Sequence, residues 1–211
     1  MKPLVIIKSC HRHYLRRCAI RDTWLPGLTW DRMFALGVKP ANVGSVVGEA
    51  NCLRFDVSDD FKDIAPKLAA ALDWGLINGF GPFFICDDDT YVVPARLESL
   101  PSEGGFDYLG WYRADGGTPY PLPYIQGAGY FLSRLAARVV LVSKEMIDGV
   151  PDDVAVGRAC YRDNRVNWTH DVRFHPGPVP ELAPERITTH KCLPDDMRRI
   201  HAQYLSGHYA E

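Results

Sequence analysis

The sequence predicts an α/β fold in which helices flank a mixed, mostly parallel central sheet. The apolar run at residues 83–85 is unbroken, which is typical of a strand buried on both faces of a sheet. Between residues 63 and 79, directly before that strand, apolar positions recur at helical spacing. Strand and helix patterns also alternate along the chain, as a parallel sheet requires. With 211 residues, the chain is long enough for a full core and a ligand cleft in one domain.

Each element follows from a local pattern. The predicted strands cover residues 4–7, 33–37, 53–57, 83–86, 108–112 and 186–189. The predicted helices cover residues 14–24, 63–79, 94–100, 134–142 and 153–160, and a final helix from Pro194 on whose Met197, Ile200 and Tyr204 face inward. A Gly- and Val-rich stretch before residue 53 has no predicted element. The loop of residues 113–123 is long enough to line a site, and the small residues 127–129 indicate either a close backbone approach to a ligand or a bulge.

The composition excludes several classes of protein. A net charge of -2 offers no basic footprint for nucleic acid, and no long run of like charge indicates a membrane surface. The six cysteines form no C-x-x-C pair, which argues against a zinc site or a disulfide framework. The apolar run before Lys8 is too short for a secretory signal or a membrane span. We therefore expect a cytoplasmic protein that acts on small molecules, with one domain over residues 1–211 that could also belong to a longer protein.

Three consecutive acids, Asp87, Asp88 and Asp89, end the central apolar run. Ligands bind at the carboxyl ends of strands in open α/β sheets. At an effective dielectric constant of about 20, two unit charges about 4 Å apart repel by about 4 kcal/mol, and a divalent cation would turn that repulsion into attraction. Oxygen ligands suit Mg²⁺ or Mn²⁺. The alternative is a solvated acidic turn, but the return to core character at residues 91–93 keeps the acids near the sheet.

Several blocks along the chain resemble one enzyme family. They are RRCAIRDTW at 16–24, the residues Asp56, Asp59, Phe61, Lys67 and Trp74, DDDTYV at 87–92, YIQGAGYFLS at 124–133, PDDVAVG at 151–157 and THKCLPDDM at 189–197. In this order they are similar to the inverting β-1,3-glycosyltransferases of the Fringe, core 1 galactosyltransferase and β-1,3-N-acetylglucosaminyltransferase group. The resemblance implies the GT-A fold. It also implies transfer of a hexose from a UDP-sugar donor to a hydroxyl of a glycan or glycoprotein acceptor.

By this resemblance, the acidic block is the D-x-D motif that binds Mn²⁺ or Mg²⁺ together with the UDP-sugar. Asp89 is then the direct metal ligand, and Asp87 binds the ribose or reaches the metal through water. His190 is the expected ligand from the far end of the chain. His175, in RFHPGPVP, is the competing candidate for that role.

The resemblance also assigns the remaining site residues. Asp153 is the expected general base, at a helix start where the helix dipole favours the ionised form and where an N-cap is the alternative role. A single base on the face opposite the leaving group implies inversion of configuration. Asp152 lies about 100° around the helix, so we expect its replacement to lower turnover much less than replacement of Asp153. The residues expected on the nucleotide side are Ser9, Arg17, Lys67, Asp88 and Gly127, although Arg17 and Lys67 could instead pair with acidic residues.

The sequence departs from the family pattern in three places. The loop between residues 112 and 124 is short, Ile125 and Gln126 replace a cysteine and a serine, and the membrane anchor and stem are missing. The first two departures leave the donor sugar open among galactose, glucose, N-acetylglucosamine and rhamnose. The third fits an intracellular or virus-encoded relative, such as one from a large algal virus that acts in the host cell cytoplasm.

Two other classes share part of this pattern. Haloacid dehalogenase phosphatases also place acids at a strand end, as D-x-D-x-T/V, but here Tyr91 occupies the Thr or Val position and the acids lie mid-chain. A non-catalytic nucleotide-sugar-binding module would keep the fold without turnover. Such a module needs no general base, so Asp153 together with the D-x-D acids favours an enzyme.

Overall fold

The computed structural model of the chain describes residues 2–39, 49–114, 122–147, 149–177 and 182–207. The strands are β1 (Lys2–Lys8), β2 (Asp31–Lys39), β3 (Cys52–Ser58), β4 (Phe80–Asp87), β5 (Tyr91–Val92), β6 (Tyr108–Arg113), β7 (Tyr124–Leu132), β8 (Trp168–His170), β9 (Phe174–His175) and β10 (Thr188–Thr189). The helices are α1 (Tyr14–Asp22), α2 (Ile64–Ile77), α3 (Pro94–Glu103), α4 (Arg134–Val142), α5 (Asp152–Tyr161) and α6 (Pro194–Ser206).

The main sheet has seven strands in the order β3-β2-β1-β4-β7-β6-β8. β1 pairs in parallel with β2 and β4, β2 pairs in parallel with β3, and β6 pairs in parallel with β8. β7 runs antiparallel to both of its neighbours. The predicted α/β fold with a mixed, mostly parallel sheet is therefore confirmed. Because β7 alone is reversed among these seven strands, the carboxyl ends of β1, β4 and β6 lie at the same edge of the sheet.

Alternate residues of the central strands enter two separate cores, one on each face of the sheet. In β1, Leu4 and Ile6 point to one face, and Val5 and Ile7 point to the other. Residues of α2, α4 and α5 cover the first face, whereas residues of α1, α3 and α6 cover the second. Burial on both faces explains why these strands read as unbroken apolar runs.

β7 bulges where the sequence places small residues. Gly110 of β6 pairs with Tyr130, but Tyr112 pairs with Ile125, so a longer stretch of β7 lies opposite a shorter stretch of β6. The extra residues leave the ladder and turn toward the sheet edge. Gly129 has a φ of 119°, a conformation that side chains with a Cβ rarely adopt. A bulge, one of the two structures predicted for the small residues 127–129, is thus present.

A second, three-stranded sheet joins distant parts of the chain in the order β5-β10-β9. β10 is antiparallel to β5, with Thr189 opposite Tyr91, and parallel to β9. Since β5 starts two residues after Asp89 and β10 ends at Thr189, this pairing carries His190 to the acids at the end of β4.

The sequence-based prediction differs from the structure at a few elements. β5, β7, β8 and β9 were not predicted as strands. β5, β8 and β9 have only two or three residues and so no readable period, and the small residues 127–129 interrupt the pattern of β7. The strand expected at 186–189 is limited to β10. Residues 40–48 of the Gly- and Val-rich stretch and residues 115–121 of the predicted loop lie outside the described residues. All six cysteines are unpaired, as expected. No helix in the described ranges has both the length and the apolar character needed to cross a membrane.

Gly157 should be required for the packing of α5 against β7. A Cβ on this residue would lie 2.8 Å from Tyr124 Cα and 3.0 Å from the carbonyl oxygen of Pro123, and backbone atoms cannot easily yield. We expect Gly157→Ala to lower the free energy of unfolding by about 1–3 kcal/mol, despite the better helix propensity of alanine. Chemical denaturation measures this change. Asp73→Ala, at an exposed position of α2, is the control, and equal stability of the two variants would contradict the packing argument.

Candidate active site

A cleft of about 580 Å³ lies at the carboxyl edge of the main sheet. It extends from the turn after β1 and the start of α2 to the β7 bulge, the start of α5 and the turn after β10. Most of the predicted site residues line it: Ser9, Lys67, Asp87, Asp88, Asp89, Gly127, Asp153 and His190. This edge is where α/β sheets bind their ligands, because parallel strands bring their polar ends together there.

Asp87, Asp89 and His190 contribute donor atoms that all lie within 4.8 Å of one another. His190 Nδ1 is 3.2 Å from Asp89 Oδ1, and His190 Nε2 is 4.0 Å from Asp87 Oδ2. Burial lowers the pKa of His190 although Asp89 acts in the opposite direction. The neutral imidazole that this favours is the form that binds metal ions.

The donor set fits a divalent cation. Two carboxylates and one imidazole are ligands that Mn²⁺ accepts, and carboxylates also suit Mg²⁺. Asp89 Oδ1 is buried and accepts no hydrogen bond. Burial, reinforced by Asp152 and Asp89, raises the pKa of Asp87 to about 7 although Lys8 opposes the shift. A buried oxygen that accepts no hydrogen bond and a carboxyl group that resists ionisation are both features that a bound cation would compensate.

His175 lies away from these acids. Its Nδ1 is 3.0 Å from the carbonyl oxygen of Gly177, and its ring centroid is 5.9 Å from that of Trp111. His175 is absent from the lining of the cleft described above. Of the two histidines left open by the sequence, the structure places His190 beside the D-x-D acids.

The middle acid, Asp88, points away from the triad into a hydrogen-bonded pocket. It accepts hydrogen bonds from Ser9 Oγ at 2.6 Å and from Arg16 at 3.0 Å, and His13 Nδ1 is 2.9 Å from its Oδ2. Burial opposes its ionisation, but the hydrogen bonds from His13 and Ser9 outweigh burial and lower the pKa of Asp88. Asp88 therefore joins the turn after β1 to the end of β4.

Lys8 is a site residue that the sequence reasoning missed. Its Nζ lies 2.9 Å from Asp87 Oδ1 and 2.5 Å from Asp152 Oδ2, and Tyr130 donates a second hydrogen bond to Asp152 Oδ2 at 3.1 Å. Burial alone would lower the pKa of Lys8, but Asp152 and Asp87 raise it. A signal was present in the sequence, since a lysine that ends an apolar strand must place its charge at the same edge as the acids. In the sheet, Lys8 is the direct neighbour of Asp87.

Asp153 lies on the other side of the β7 bulge from Asp87. The backbone N–H of Gly127 donates to its Oδ2 at 3.2 Å, and the N–H of Val154 donates to its Oδ1 at 2.8 Å. A Cβ on Gly127 would lie 2.9 Å from Asp87 Oδ2 and 3.8 Å from Asp153 Oδ2, so the close approach expected at this glycine is present. Burial, helped by Asp152, raises the pKa of Asp153 to about 6. The expectation that the helix terminus would favour the ionised form is therefore outweighed by burial.

Of the five residues expected on the nucleotide side, Arg17 needs a correction. Ser9 and Lys67 line the cleft, and Lys67 donates to the carbonyl oxygen of Ser9 at 2.6 Å and to Asp59 at 2.9 Å. Arg17 is fully buried and does not line the cleft. Its guanidinium donates to Glu49 at 2.7 Å and to Ser9 Oγ at 2.9 Å. It pairs with an acid behind the cleft and positions Ser9 instead of facing a ligand directly.

The chain resembles solved glycosyltransferases in its fold. A glycosyltransferase involved in the glycosylation of the major capsid of PBCV-1 superposes with a TM-score of 0.54 at 11% identity, covering 95% of this chain and 99% of that chain. The galactosyltransferase LgtC, in complex with donor and acceptor sugar analogs, superposes with a TM-score of 0.51 at 12% identity, covering 99% of this chain and 96% of that chain. The fold of this chain is therefore the GT-A fold of these glycosyltransferases.

Sequence similarity narrows this class. The N-acetyllactosaminide β-1,3-N-acetylglucosaminyltransferase 4 of Mus musculus is 30% identical over 212 residues, which cover 81% of this chain and 59% of that protein. The Homo sapiens protein of the same name is 30% identical over 210 residues, which cover 81% of this chain and 54% of that protein. The chain thus spans somewhat more than half the length of these relatives. No protein-family model matches it. The chain is thus similar in sequence to β-1,3-glycosyltransferases and has the GT-A fold, as its sequence blocks indicated.

Replacing Asp152 should also affect stability, which is a property separate from the mild loss of turnover that the sequence predicts. Asp152 is buried and is one of two carboxylates that neutralise Lys8. We expect Asp152→Asn to lower the free energy of unfolding by about 2–3 kcal/mol, because a buried ammonium loses a charged partner while retaining Asp87. Chemical denaturation measures the change. Asp60→Asn, at an exposed acid of the same cleft, should change stability by less than about 0.5 kcal/mol, and equal effects of the two variants would contradict this account.

Proposed function

We propose that this protein is an inverting glycosyltransferase that moves a hexose from a UDP-sugar to a hydroxyl group of a glycan or glycoprotein acceptor, with the help of Mn²⁺ or Mg²⁺. One observation carries the proposal. The triad of Asp87, Asp89 and His190 and the carboxylate of Asp153 line a single cleft and meet across Gly127. This arrangement combines a site for a charged leaving group with a base close to it.

On the donor side, the chain's own residues bind and orient the nucleotide. When bound, the metal ion supplies positive charge that stabilises the departing diphosphate. Asp87, Asp89 and His190 are its ligands in this proposal. The turn after β1 and the start of α2 form the nucleotide end of the cleft, where Ser9 and Lys67 are held by buried contacts. Because these side chains are already held in place, they lose little conformational entropy when a nucleotide binds.

On the acceptor side, Asp153 is the general base. Hydrogen bonds from two backbone N–H groups hold its carboxylate in one orientation. With a pKa of about 6, the group is ionised at neutral pH and is still basic enough to accept a hydroxyl proton as the bond to the sugar forms. The acceptor oxygen then attacks the sugar carbon on the face opposite the diphosphate. One such displacement inverts the configuration at that carbon.

The relatives suggest which substrates to test first. Both mammalian proteins are named as β-1,3-N-acetylglucosaminyltransferases that act on N-acetyllactosaminides. UDP-N-acetylglucosamine and N-acetyllactosamine are therefore the first donor and acceptor to test, with UDP-galactose, UDP-glucose and a rhamnose donor next.

Binding of UDP should require a divalent metal, and His190 should be one of the ligands of that metal. We expect UDP to bind with Mn²⁺ and to lose at least about tenfold in affinity when a chelator removes the metal, because the diphosphate would then face uncompensated carboxylates. His190→Ala should weaken the metal-dependent binding to a similar extent. Isothermal titration calorimetry measures both effects.

His175→Ala is the matched control for this test, since it removes the same side chain from the neighbouring strand β9. It should leave UDP affinity within about twofold of the wild type. Equal affinity with Mn²⁺ and with chelator would remove the metal from the proposal, and a larger loss in His175→Ala than in His190→Ala would exchange the two histidines.

Replacement of the base should reduce turnover without reducing donor affinity. We expect Asp153→Asn to lower the transfer rate by at least about a hundredfold, the usual scale for a lost general base. In the wild type at saturating Mn²⁺ and donor, the rate should fall as the pH is lowered through about 6, because protonated Asp153 cannot accept a proton. This pH dependence should be lost in the variant. Transfer rates from pH 5 to 8 and UDP-sugar affinity measure these effects.

Asp60→Asn serves as the control, because this cleft acid is exposed and has no part in the proposed proton transfer. An active Asp153→Asn enzyme would place the base elsewhere. A parallel loss of donor affinity and activity would show that Asp153 binds the donor. Tight metal-dependent UDP binding by a wild-type protein that transfers no sugar would favour the non-catalytic binding module.

A further inference from the structure

A second groove opens beside the cleft, at the end of β6. Its volume is about 490 Å³. The residues that line it are Trp111, Tyr112, Arg113, Ala114 and Gln126. Trp111 is half-buried, and its indole is the largest ring at this surface. An aromatic side chain of this kind combines a large apolar surface with low conformational freedom, and such side chains are frequent at binding sites.

Two connections tie this groove to the cleft. On one side, Gln126 lines the groove and the next residue, Gly127, lines the cleft, so the β7 bulge forms the boundary between them. On the other side, the ring of His175 contacts Trp111, and the pairing of β9 with β10 sets His175 opposite Thr189, the residue before His190. Trp111 thus adjoins both elements that surround the proposed base and metal triad, and it lies away from the nucleotide end.

The groove offers polar groups around the indole. The ring of His170 packs against Trp111 at 5.3 Å and an interplanar angle of 69°. The backbone N–H of Tyr112 donates to His170 Nδ1 at 2.9 Å, so the neutral imidazole carries its proton on Nε2. His170 is exposed and can donate from that atom, while the carboxamide of Gln126 can both donate and accept. A flat apolar ring with donors and acceptors at its edge matches a pyranose, which has an apolar C–H face and a rim of hydroxyl groups.

We propose that Trp111, with Gln126 and His170, forms an acceptor subsite that holds one sugar ring of a saccharide. The inference rests on the proposed glycosyltransferase function and specifies its acceptor. β6 is two strands away from β4, or about 10 Å at the usual strand spacing. In this proposal, the ring on Trp111 is the neighbour of the sugar that presents the attacking hydroxyl at Asp153. The acceptor is thus at least a disaccharide, in preference to a monosaccharide or a peptide hydroxyl.

Binding of saccharides to the wild type and to two Trp111 variants tests this subsite without requiring turnover. The probes are N-acetyllactosamine, lactose and methyl β-galactoside, each measured by saturation-transfer NMR titration in the presence of UDP and Mn²⁺. We expect Trp111→Ala to weaken disaccharide binding by about tenfold or more and Trp111→Phe to restore most of it, since a ring remains. Binding of methyl β-galactoside should be weaker than that of the disaccharides and should change by less than about threefold in Trp111→Ala.

The control is Trp74→Phe. Trp74 is also half-buried, but it stacks on Phe80 at the start of β4, at the opposite edge of the sheet. This variant should bind every probe like the wild type. Metal-dependent UDP binding, measured in parallel, should stay within about twofold in all three variants.

Several results would overturn the subsite. These are unchanged disaccharide binding in Trp111→Ala, an equal loss for methyl β-galactoside, a parallel loss of UDP affinity, or a wild type that binds UDP and Mn²⁺ but none of the saccharides. A wild type that binds saccharides through Trp111 but does not bind UDP would instead contradict the proposed function. The two failures are therefore distinguishable.

Discussion

The site depends on the ion pairs that the buried ammonium of Lys8 makes with Asp87 and Asp152. The end of β4 and the start of α5 bring carboxylates to one place, and neighbouring carboxylates at the sheet edge repel one another by several kcal/mol. Lys8 stands between Asp87 and Asp152 and makes an ion pair with each of them. The parallel register of β1 and β4 sets Lys8 beside Asp87. The charge that allows the acids to assemble is therefore provided by the same pairing that builds the sheet.

Local backbone features then separate these acids into groups with different environments. Asp88 turns into a cluster of donors and has a lowered pKa, whereas burial, reinforced by Asp152, raises the pKa values of Asp87 and Asp153 despite the opposing effect of Lys8. The β7 bulge brings Gly127 between Asp87 and Asp153, where a side chain would collide with Asp87. Neighbouring carboxylates with different pKa values are a frequent property of catalytic sites, since they can then take different roles.

The sheet order also gives the cleft a direction. At one end lie Ser9, which follows β1, and Lys67, in the first turn of α2. The acids of β4 lie in the middle, and the β7 bulge and Trp111 lie at the other end. A donor and an acceptor that bind along this edge would meet at Asp153. This direction follows from the strand order alone, because each successive strand contributes its polar end one strand spacing further along the edge.

The sequence by itself determined the α/β class, the helices, most of the central strands and eight of the residues that line the cleft, because periodicity and short blocks are local properties. Only the tertiary structure shows that His190, and not His175, lies beside the D-x-D acids, because that position depends on pairing between β5 and β10 across about a hundred residues. It also decided that Arg17 supports Ser9 from behind and that Asp152 and Lys8 form a buried pair. Burial and ion pairing depend on which distant segments meet, and no local pattern encodes that.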